Sequence, residues 1–229
     1  MRRRLAENAL FFREYVRNFH STGAILPSGR FLAAALARFV GQGSTGGKGP
    51  VPTSRARKIL EVGPGTGAVT GRIIAGMGQS DSLDLVELNE TFVQQLKQRF
   101  EHEPAFQAVA DRARVLHCPV EELPHDRTYD VIVSGLPLNN FSAAVVEQIL
   151  AALVGLLTPG GTLSFFEYIA VRRARALVSG RAERARLRGV AQALRAVLDP
   201  HEIRREAVWL NVPPAWVHHV QRTPATKKQ

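Results

Sequence analysis

The sequence predicts an α/β fold in which a mostly parallel sheet carries helices on both faces. Residues 59–62 form a short apolar run that is typical of a buried parallel strand. A glycine-rich turn, Gly63 to Gly67, follows this strand, and residues 69–75 predict a helix. A second apolar run ends in Glu87, about twenty residues after the turn. Free N–H groups at the helix start and an acid at this distance predict a site for a ribose-containing cofactor.

The bulk composition indicates one domain with a strongly basic surface. The chain has 229 residues, 45% of them hydrophobic, and a formal net charge of +10. This charge favours an anionic partner, either nucleic acid or an acidic membrane surface, and arginine-rich codon usage is the alternative explanation. Cys118 is the only cysteine, so we expect no intramolecular disulfide and a reducing cytosol. No apolar run is long enough to predict a transmembrane segment or a secretion signal.

Residues 1–40 predict two amphipathic helices. In residues 2–19, the apolar positions 5, 9, 12, 16 and 19 share one helical face, and the other side is basic. Such a helix either lies among lipid headgroups or packs on the domain as an ordinary surface helix. Ser28 can cap a second helix over residues 29–40. The glycine-rich residues 41–56 predict a flexible loop before the main domain, 57–222.

The main domain continues as alternating strands and helices. We predict helices over 91–100 and 144–157, and strands over 114–116, 129–134 and 162–169. A turn formed by Pro159, Gly160 and Gly161 precedes the last of these strands.

Residues 202–211 and 215–222 predict a closing antiparallel pair joined at Pro213 and Pro214. Because neighbouring side chains of a strand lie on opposite faces, His218 and His219 cannot bind one metal ion together. We predict no metal site, and residues 223–229 predict a disordered tail.

The glycine turn carries the first functional motif. The pattern Glu-x-Gly-x-Gly-x-Gly over residues 61–67 resembles motif I of class I S-adenosylmethionine (SAM) methyltransferases, and Leu85 to Asn89 resembles their second motif. The same turn also satisfies the dinucleotide fingerprint, with Gly63, Gly65 and Ala68 in the small positions, and a turn without any ligand is a third possibility. The acid at position 61 and the lack of room for a separate catalytic domain favour SAM over NAD.

This resemblance implies a Rossmann-like class I methyltransferase fold, with a seven-stranded, mostly parallel sheet whose last strand is antiparallel. It also implies SAM as the cofactor and S-adenosylhomocysteine as the product. The expected cofactor-binding residues are Glu61, Gly63, Gly65, Thr66, Gly67, Glu87, Leu88, Val120, Glu121 and Ser134. The family usually has an Asp after the third strand that meets the adenine amine. Here Pro119 takes that place, which leaves open whether Glu121 replaces the Asp.

The loop after the fourth strand, Gly135 to Asn140, lies where these enzymes place residues beside the transferred methyl group. Amino-methylating members often have a proline-containing loop whose carbonyls and side-chain amides accept hydrogen bonds from the target amine. The carbonyls of Ser134 and Leu136 and the amides of Asn139 and Asn140 are our candidates for this catalytic role. The alternative is an asparagine-rich turn without chemistry.

An arginine-rich insert occupies residues 171–198. Between positions 172 and 195 it contains eight arginines and one acid, Glu183. A buried helical stripe is predicted for Leu187, Val190, Leu194 and Val197, which places the arginines on a solvated face. Charge of one sign favours binding to an anionic surface, and a plain charged helix is the alternative.

Motifs along nearly the whole chain resemble the bacterial phospholipid N-methyltransferases of the Rhodobacter type. They are Thr22 to Ser28, Leu60 to Gly67, Ser134 to Leu138, the arginine-rich insert and Val208 to Pro214. These enzymes convert phosphatidylethanolamine stepwise to phosphatidylcholine, and related enzymes methylate ornithine lipids, a distinction that the sequence leaves open. The rRNA adenine dimethylases are also related, but they have Asn-Leu-Pro-Tyr where this chain has Ser134 and Leu138. The missing aromatic ring counts against a nucleic acid partner.

The resemblance implies a cytoplasmic enzyme, peripheral on the inner face of the cell membrane. Its expected partners are an anionic membrane surface and an aminophospholipid, without a stable protein partner. We expect the first helix to cover the cofactor pocket, with Tyr15 orienting the amine as a further catalytic residue, although Tyr15 can instead anchor the helix at the interface. Four arginines are expected to bind the lipid phosphate and the membrane surface: Arg17, Arg30, Arg172 and Arg173. An RNA N-methyltransferase and a non-catalytic membrane-binding module are the competing functions.

Overall fold

The computed structural model describes residues 29–41, 55–124, 126, 128–169 and 180–223. Its centre is a seven-stranded sheet with the order β3-β2-β1-β4-β5-β7-β6. The strands are β1 (Lys58–Val62), β2 (Ser82–Val86), β3 (Ala113–Leu116), β4 (Tyr129–Ser134), β5 (Leu157–Tyr168), β6 (Glu202–Val208) and β7 (Ala215–Gln221). Only β7 runs antiparallel to its two neighbours within this sheet. The predicted fold class is therefore confirmed.

The helices flank the sheet on both faces. They are α1 (Arg30–Leu36), α2 (Arg38–Gly41), α3 (Ala68–Gly76), α4 (Glu90–His102), α5 (Pro104–Gln107), α6 (Ala143–Gly155) and α7 (Arg181–His201). The starts of α4 and α6 are fixed by side chains, since Asn89 and Ser142 accept hydrogen bonds from backbone N–H groups of the first turn. One helix was predicted over residues 29–40, and the structure divides this segment into two at Ala37.

Two apolar clusters lie on opposite faces of the sheet. Because successive strand residues point to opposite faces, Ile59 belongs to one cluster and Leu60 to the other. On the first face, Leu36 of α1 and Ile73 of α3 are fully buried. The second face is covered by α6 and α7. The predicted buried stripe of α7 is present, with Leu187, Val190 and Leu194 buried and Val197 partly buried.

The predicted turn before the fifth strand is wrong. Residues 159–161 lie inside β5, which begins at Leu157, where Tyr129 is its partner in β4. The next paired positions are Val131 and Thr162, so the residues between them form a bulge. Gly160 has φ 80, a left-handed conformation that favours glycine and allows the strand to resume after the bulge.

Several predicted segments lie outside the described residues. They are the helix over 2–19, most of the loop over 41–56, residues 171–179 of the arginine-rich insert and residues 224–229 of the predicted tail. Within the part of the chain that the structure describes, no helix has the length and apolar character needed to span a membrane.

Candidate functional site

The candidate site lies at the carboxyl ends of four adjacent strands. Backbone hydrogen bonds continue the sheet beyond the strands, from Gly63 N to Val86 O (2.9 Å), from Glu87 N to Leu116 O (3.0 Å) and from Gly135 N to Val62 O (2.8 Å). These bonds hold the loops after β1, β2, β3 and β4 side by side. The order of the strands reverses between β1 and β4, and open α/β sheets bind ligands in the crevice at this switch point.

The glycine turn requires glycine at its positions for different reasons. Gly63, Gly65 and Gly67 have φ of 69, 55 and 82, which side chains other than glycine rarely adopt. An added Cβ at Gly63 would lie 2.6 Å from Cδ2 of Leu136, so the turn packs directly on the loop after β4. An added Cβ at Gly65 would meet nothing within 4 Å. Gly65 therefore borders open space, as a position that approaches a ligand requires.

Arg99 of α4 supports the turn from outside. Its Nη1 donates to the carbonyl oxygen of Thr66 (2.6 Å), while its Nε and Nη2 donate to the carboxylate of Glu103 at 2.7 and 2.8 Å. An added Cβ at Gly67 would lie 2.5 Å from Nη1 of Arg99. The guanidinium therefore fills the space that the third glycine leaves. The side chain of Thr66 itself is exposed.

Glu87 joins the glycine turn to the loop after β2. Its side chain is 6% exposed, and Oε2 accepts the N–H of Gly65 at 3.0 Å. Oε1 accepts the N–H groups of Leu88 and Asn89, both at 2.8 Å. Burial raises the pKa of Glu87, and these backbone hydrogen bonds oppose the rise. The sequence predicted a ribose-binding acid here, but not that this acid also fixes the turn.

Glu61 is fully buried directly before the turn. Its two carboxylate oxygens have no hydrogen-bond partner among the residues that the structure describes. Burial raises the pKa of Glu61 to about 8, the hydroxyl of Thr70 and the guanidinium of Arg99 oppose this rise, and the charge of Glu87 adds to it. Glu61 is therefore mostly protonated at neutral pH. A positively charged ligand would favour its ionised form.

The loop after β3 closes one side of the crevice. Nε2 of His117 lies 3.0 Å from the carbonyl oxygen of Leu88, which links this loop to the one after β2. The side chain of Val120 is buried in the core, whereas Glu121 is partly exposed. Burial raises the pKa of Glu121. The contact of Val120 and Glu121 with a cofactor stays a prediction.

The loop after β4 presents the candidate catalytic residues. Ser134 is buried, and its Oγ accepts the N–H of Leu136 at 3.4 Å. The carbonyl oxygen of Leu136 accepts the N–H of Leu138 at 3.0 Å. Asn139 is 2% exposed, and neither atom of its amide has a hydrogen-bond partner in the described parts of the chain. A buried amide without a partner is costly, so this residue is the best candidate in the loop for a bond to a ligand.

Arg186 of α7 holds this loop in place. Its Nη1 donates to the carbonyl oxygen of Asn139 at 3.1 Å and also to that of Phe141. Its Nε and Nη2 donate to Glu183 at 2.8 and 2.7 Å. The prediction that all arginines of the insert lie on a solvated face is therefore wrong for Arg186. Glu183, the one acid of the insert, lies three residues before Arg186 on the helix and was the sequence signal for this pairing.

The predicted substrate-binding arginines are mostly not described. Arg30 is exposed at the start of α1, with Cζ 4.7 Å from the ring centroid of Phe31. Tyr15, Arg17, Arg172 and Arg173 lie outside the described residues, and their roles stay predictions. Among the described residues, no group of three or more His, Cys, Asp or Glu side chains is arranged to hold a metal ion.

Comparisons with known proteins agree with this geometry. Residues 59–161 match a family described as a methyltransferase domain. The chain is 25% identical over 156 residues to the ornithine lipid N-methyltransferase of Singulisphaera acidiphila, a match covering 68% of this chain and 74% of that relative. It is 35% identical over 100 residues to the ribosomal RNA small subunit methyltransferase A of a Synechococcus strain, covering 44% of this chain and 33% of that relative.

Solved structures share the fold. The cofactor-bound protein Rv0187 from MTB has a TM-score of 0.59 and 15% identity, covering 87% of this chain and 84% of that one. The carbon methyltransferase of CurJ has a TM-score of 0.55 and 18% identity, covering 76% of this chain and 50% of that one.

Proposed function

We propose that the protein uses SAM to methylate the amino group of a membrane lipid, since residues 59–161 match a methyltransferase domain and a solved methyltransferase shares the fold. Phosphatidylethanolamine, converted stepwise to phosphatidylcholine, is the first candidate substrate. Ornithine lipid is the second, and it is favoured by the similarity to an ornithine lipid N-methyltransferase across most of both chains. Both substrates present a primary amine on a lipid whose acyl chains stay in the membrane.

The described residues fit SAM. Gly65 borders open space in the crevice, and Glu87 faces the same turn. A carboxylate has about four acceptor positions, and backbone N–H groups occupy three of those of Glu87, which leaves room for a ribose hydroxyl. The unpartnered acid of Glu61 suits the cationic part of this cofactor. When bound, SAM supplies a methyl group whose bond to sulfur breaks as the new bond to nitrogen forms, with S-adenosylhomocysteine as the product.

The main observation in favour of an amine as the methyl acceptor is the buried amide of Asn139, in the loop after β4, which has no hydrogen-bond partner among the described residues. The carbonyl of this amide can accept a hydrogen bond from the substrate nitrogen and orient its lone pair toward the methyl group. A fixed carbonyl dipole also stabilises the ammonium that develops during transfer. Arg186 holds the backbone carbonyls of Asn139 itself and of Phe141, so the acceptor needs little reorganisation.

A base in RNA is a weaker candidate for the acceptor. The similarity to the rRNA methyltransferase covers one third of that relative. In this chain the residue at the end of Ser-Gly-Leu-Pro-Leu is Leu138, which is fully buried, and it offers no ring for stacking on an extruded base. The net charge of +10 suits the anionic inner face of a cell membrane equally well. We therefore place the enzyme in the cytoplasm, as a peripheral protein on this membrane.

A direct assay tests the substrate. The full chain is incubated with SAM labelled in its methyl group and, separately, with phosphatidylethanolamine, ornithine lipid or rRNA in matched buffers. We expect label in the lipid fraction and none in RNA, with the mono-, di- and trimethylated products separated by chromatography. Asn139→Leu serves as the matched variant, since it should bind SAM like the wild type but transfer methyl groups about tenfold more slowly. Label in RNA alone would exclude the lipid proposal.

A further inference from the structure

The largest exposed apolar side chains are not scattered over the described surface. Five large hydrophobic residues are exposed there, and three of them lie within four consecutive positions: Trp209 at 66%, Leu210 at 72% and Val212 at 72%. These positions belong to the loop that joins β6 to β7, at 209–214. Single exposed hydrophobic residues need no explanation, but a cluster of this kind marks an interaction surface.

The loop is built to present these side chains. The residue between them, Asn211, is buried, and its Oδ1 accepts the N–H of Gly29 at 3.1 Å. Its Nδ2 donates to the carbonyl oxygen of Pro213 at 2.8 Å. Asn211 therefore ties the loop to the start of α1 while its neighbours point to solvent. The same bond brings Phe31, which is 41% exposed, close to the loop.

The direction of the strands places this loop at the catalytic edge of the sheet. β5 and β6 are both antiparallel to β7, so they run parallel to each other. The carboxyl end of β6 therefore lies at the same edge as the carboxyl ends of β1 and β4, from which the cofactor and acceptor loops project. A body that contacts the exposed loop would also face the crevice.

Guanidinium groups border the apolar cluster. Cζ of Arg205 lies 4.9 Å from the ring centroid of Trp216, and the ring of Trp216 lies 6.5 Å from that of Trp209. Arg30 lies over Phe31. The two acids of β6 are paired, Glu206 with Arg38 and Arg204, and Glu202 with His218. An apolar centre that contains tryptophan and has a cationic rim matches the interface of an anionic bilayer, where tryptophan rings concentrate.

We propose that Trp209, Leu210 and Val212, with Phe31 beside them, insert into the headgroup region of an anionic lipid bilayer and hold the catalytic edge against it. This inference rests on the proposed lipid function and assigns the surface through which the substrate enters. The proposal does not depend on the predicted helix over residues 2–19, because every residue on which it rests lies in the part of the chain that the structure describes.

Intrinsic fluorescence tests the insertion, because the chain has only two tryptophans. In Trp216→Phe, Trp209 is the only tryptophan, and excitation at a wavelength that tyrosine does not absorb isolates its emission. Vesicles of phosphatidylglycerol and phosphatidylcholine should shift its emission to shorter wavelength, and brominated acyl chains should quench it. If Trp216→Phe does not fold, the difference between the wild type and Trp209→Phe gives the same signal. Unchanged emission and no quenching would overturn the proposal, as would blue-shifted emission before vesicles are added, which means that another surface covers the loop.

A matched pair of variants tests the energetic contribution. Leu210→Ser should weaken vesicle binding roughly tenfold, because it removes an apolar side chain that leaves water when the loop inserts. Ile203→Ser is the control, since Ile203 is also exposed but lies at the opposite end of β6. Equal losses in both variants would contradict a specific surface. A shift in Trp209 emission with protein concentration alone would indicate a second copy of the chain and would also overturn the proposal.

Failure of this proposal is distinguishable from failure of the proposed function. A short-chain aminolipid below its micellar concentration requires no membrane docking. If it is methylated while Trp209 is not quenched by vesicles, the lipid chemistry stands and the docking surface is wrong. If vesicles quench Trp209 but no lipid becomes labelled, the proposed function fails instead.

Discussion

The site has two halves: a cofactor half, formed by the glycine turn and Glu87, and an acceptor half, formed by the loop after β4 over residues 135–140. The two halves are held together in different ways. In the cofactor half, the carboxylate of Glu87 binds backbone N–H groups at sequence separations of 1, 2 and 22 residues. In the acceptor half, Arg186 of α7 donates to carbonyls in this loop and directly after it, which lie 47 and 45 residues before Arg186 in the sequence. The first half therefore depends on backbone conformation, on Glu87 and on the bond from Arg99 to the turn, whereas the second depends on how α7 packs on α6. A change in one half should affect cofactor affinity, and a change in the other should affect turnover.

The largest expected effect is in the cofactor half. Glu87→Ala removes the acceptor of three N–H groups and the proposed partner for a ribose hydroxyl. Hydrogen bonds to a charged group contribute about 1.5–3 kcal/mol each, so we expect SAM affinity to fall roughly 100-fold. Isothermal titration calorimetry measures this change. Glu87→Gln keeps one acceptor oxygen and should lose less.

A folded Glu87→Ala protein with unchanged SAM affinity would remove Glu87 from the cofactor site. If both variants lose SAM affinity and both also lose the same amount of melting temperature, Glu87 acts mainly by fixing the glycine turn. The two variants therefore separate binding of the cofactor from support of the loop.

A smaller effect is expected when the support of the acceptor half is removed. Arg186→Ala removes the hydrogen bonds from the guanidinium to the carbonyls of Asn139 and Phe141, together with its ion pair to Glu183. Misplacement of a positioned group by about 1 Å can cost up to roughly 100-fold in rate, and we expect kcat to fall about 30-fold because the loop keeps its other contacts. SAM affinity should stay within about threefold of the wild type, since no contact to the cofactor half is removed.

Two neighbouring arginines provide matched controls for Arg186. Arg184 and Arg188 are exposed on the same helix, and their alanine variants should keep kcat near that of the wild type. Arg186→Lys should recover only part of the activity, because an ammonium cannot reproduce the fork that binds Glu183 and the loop together. Equal losses of kcat in all three alanine variants would mean that the charge of the helix matters and the position of Arg186 does not.

The same contrast explains why the sequence predicted the cofactor half better than the acceptor half. The glycine turn and the acid after β2 were predicted because the conformation of a glycine and the end of a strand are local properties. The sequence also predicted Asn139 as a candidate, but only as one of several acceptors in the loop. The role of Arg186 was missed, since the pairing of α7 with the loop after β4 depends on tertiary packing. The sequence predicts a turn where the structure has the bulge at Gly160, because the register of β5 against β4 is not a local property.

Asn139→Leu sharpens the assignment within the acceptor half. The leucine has a similar volume and removes a buried amide that has no hydrogen-bond partner in the described parts of the chain. Removal of an unsatisfied amide should leave the free energy of unfolding unchanged or raise it by about 1 kcal/mol. Turnover should nevertheless fall about tenfold, as expected for a residue kept for catalysis at the expense of stability. Unchanged turnover with raised stability would assign the amine to another acceptor of the loop.

The last expected effect concerns Glu61 and is a gradual dependence of stability on pH. Its pKa in the folded protein is about 8, against an ordinary value of 4.5. Between these pH values the unfolded chain has lost the proton that the folded chain keeps. The contribution of Glu61 to stability is therefore fully present below pH 4.5 and decreases as pH rises toward 8, by at most about 1.4 kcal/mol per pH unit. Glu61→Gln should remove this slope, which denaturant unfolding without cofactor at several pH values measures.

The cofactor should act on the same proton. SAM carries positive charge, and a cation beside Glu61 favours the carboxylate, so binding should lower the pKa of Glu61 and release a proton near neutral pH. Calorimetry in two buffers with different ionisation enthalpies should detect up to about one proton released by the wild type and less by Glu61→Gln. Equal release by both proteins would place the cationic part of SAM away from Glu61. The acid would then be a cost of the fold in the cofactor half, without a role in binding.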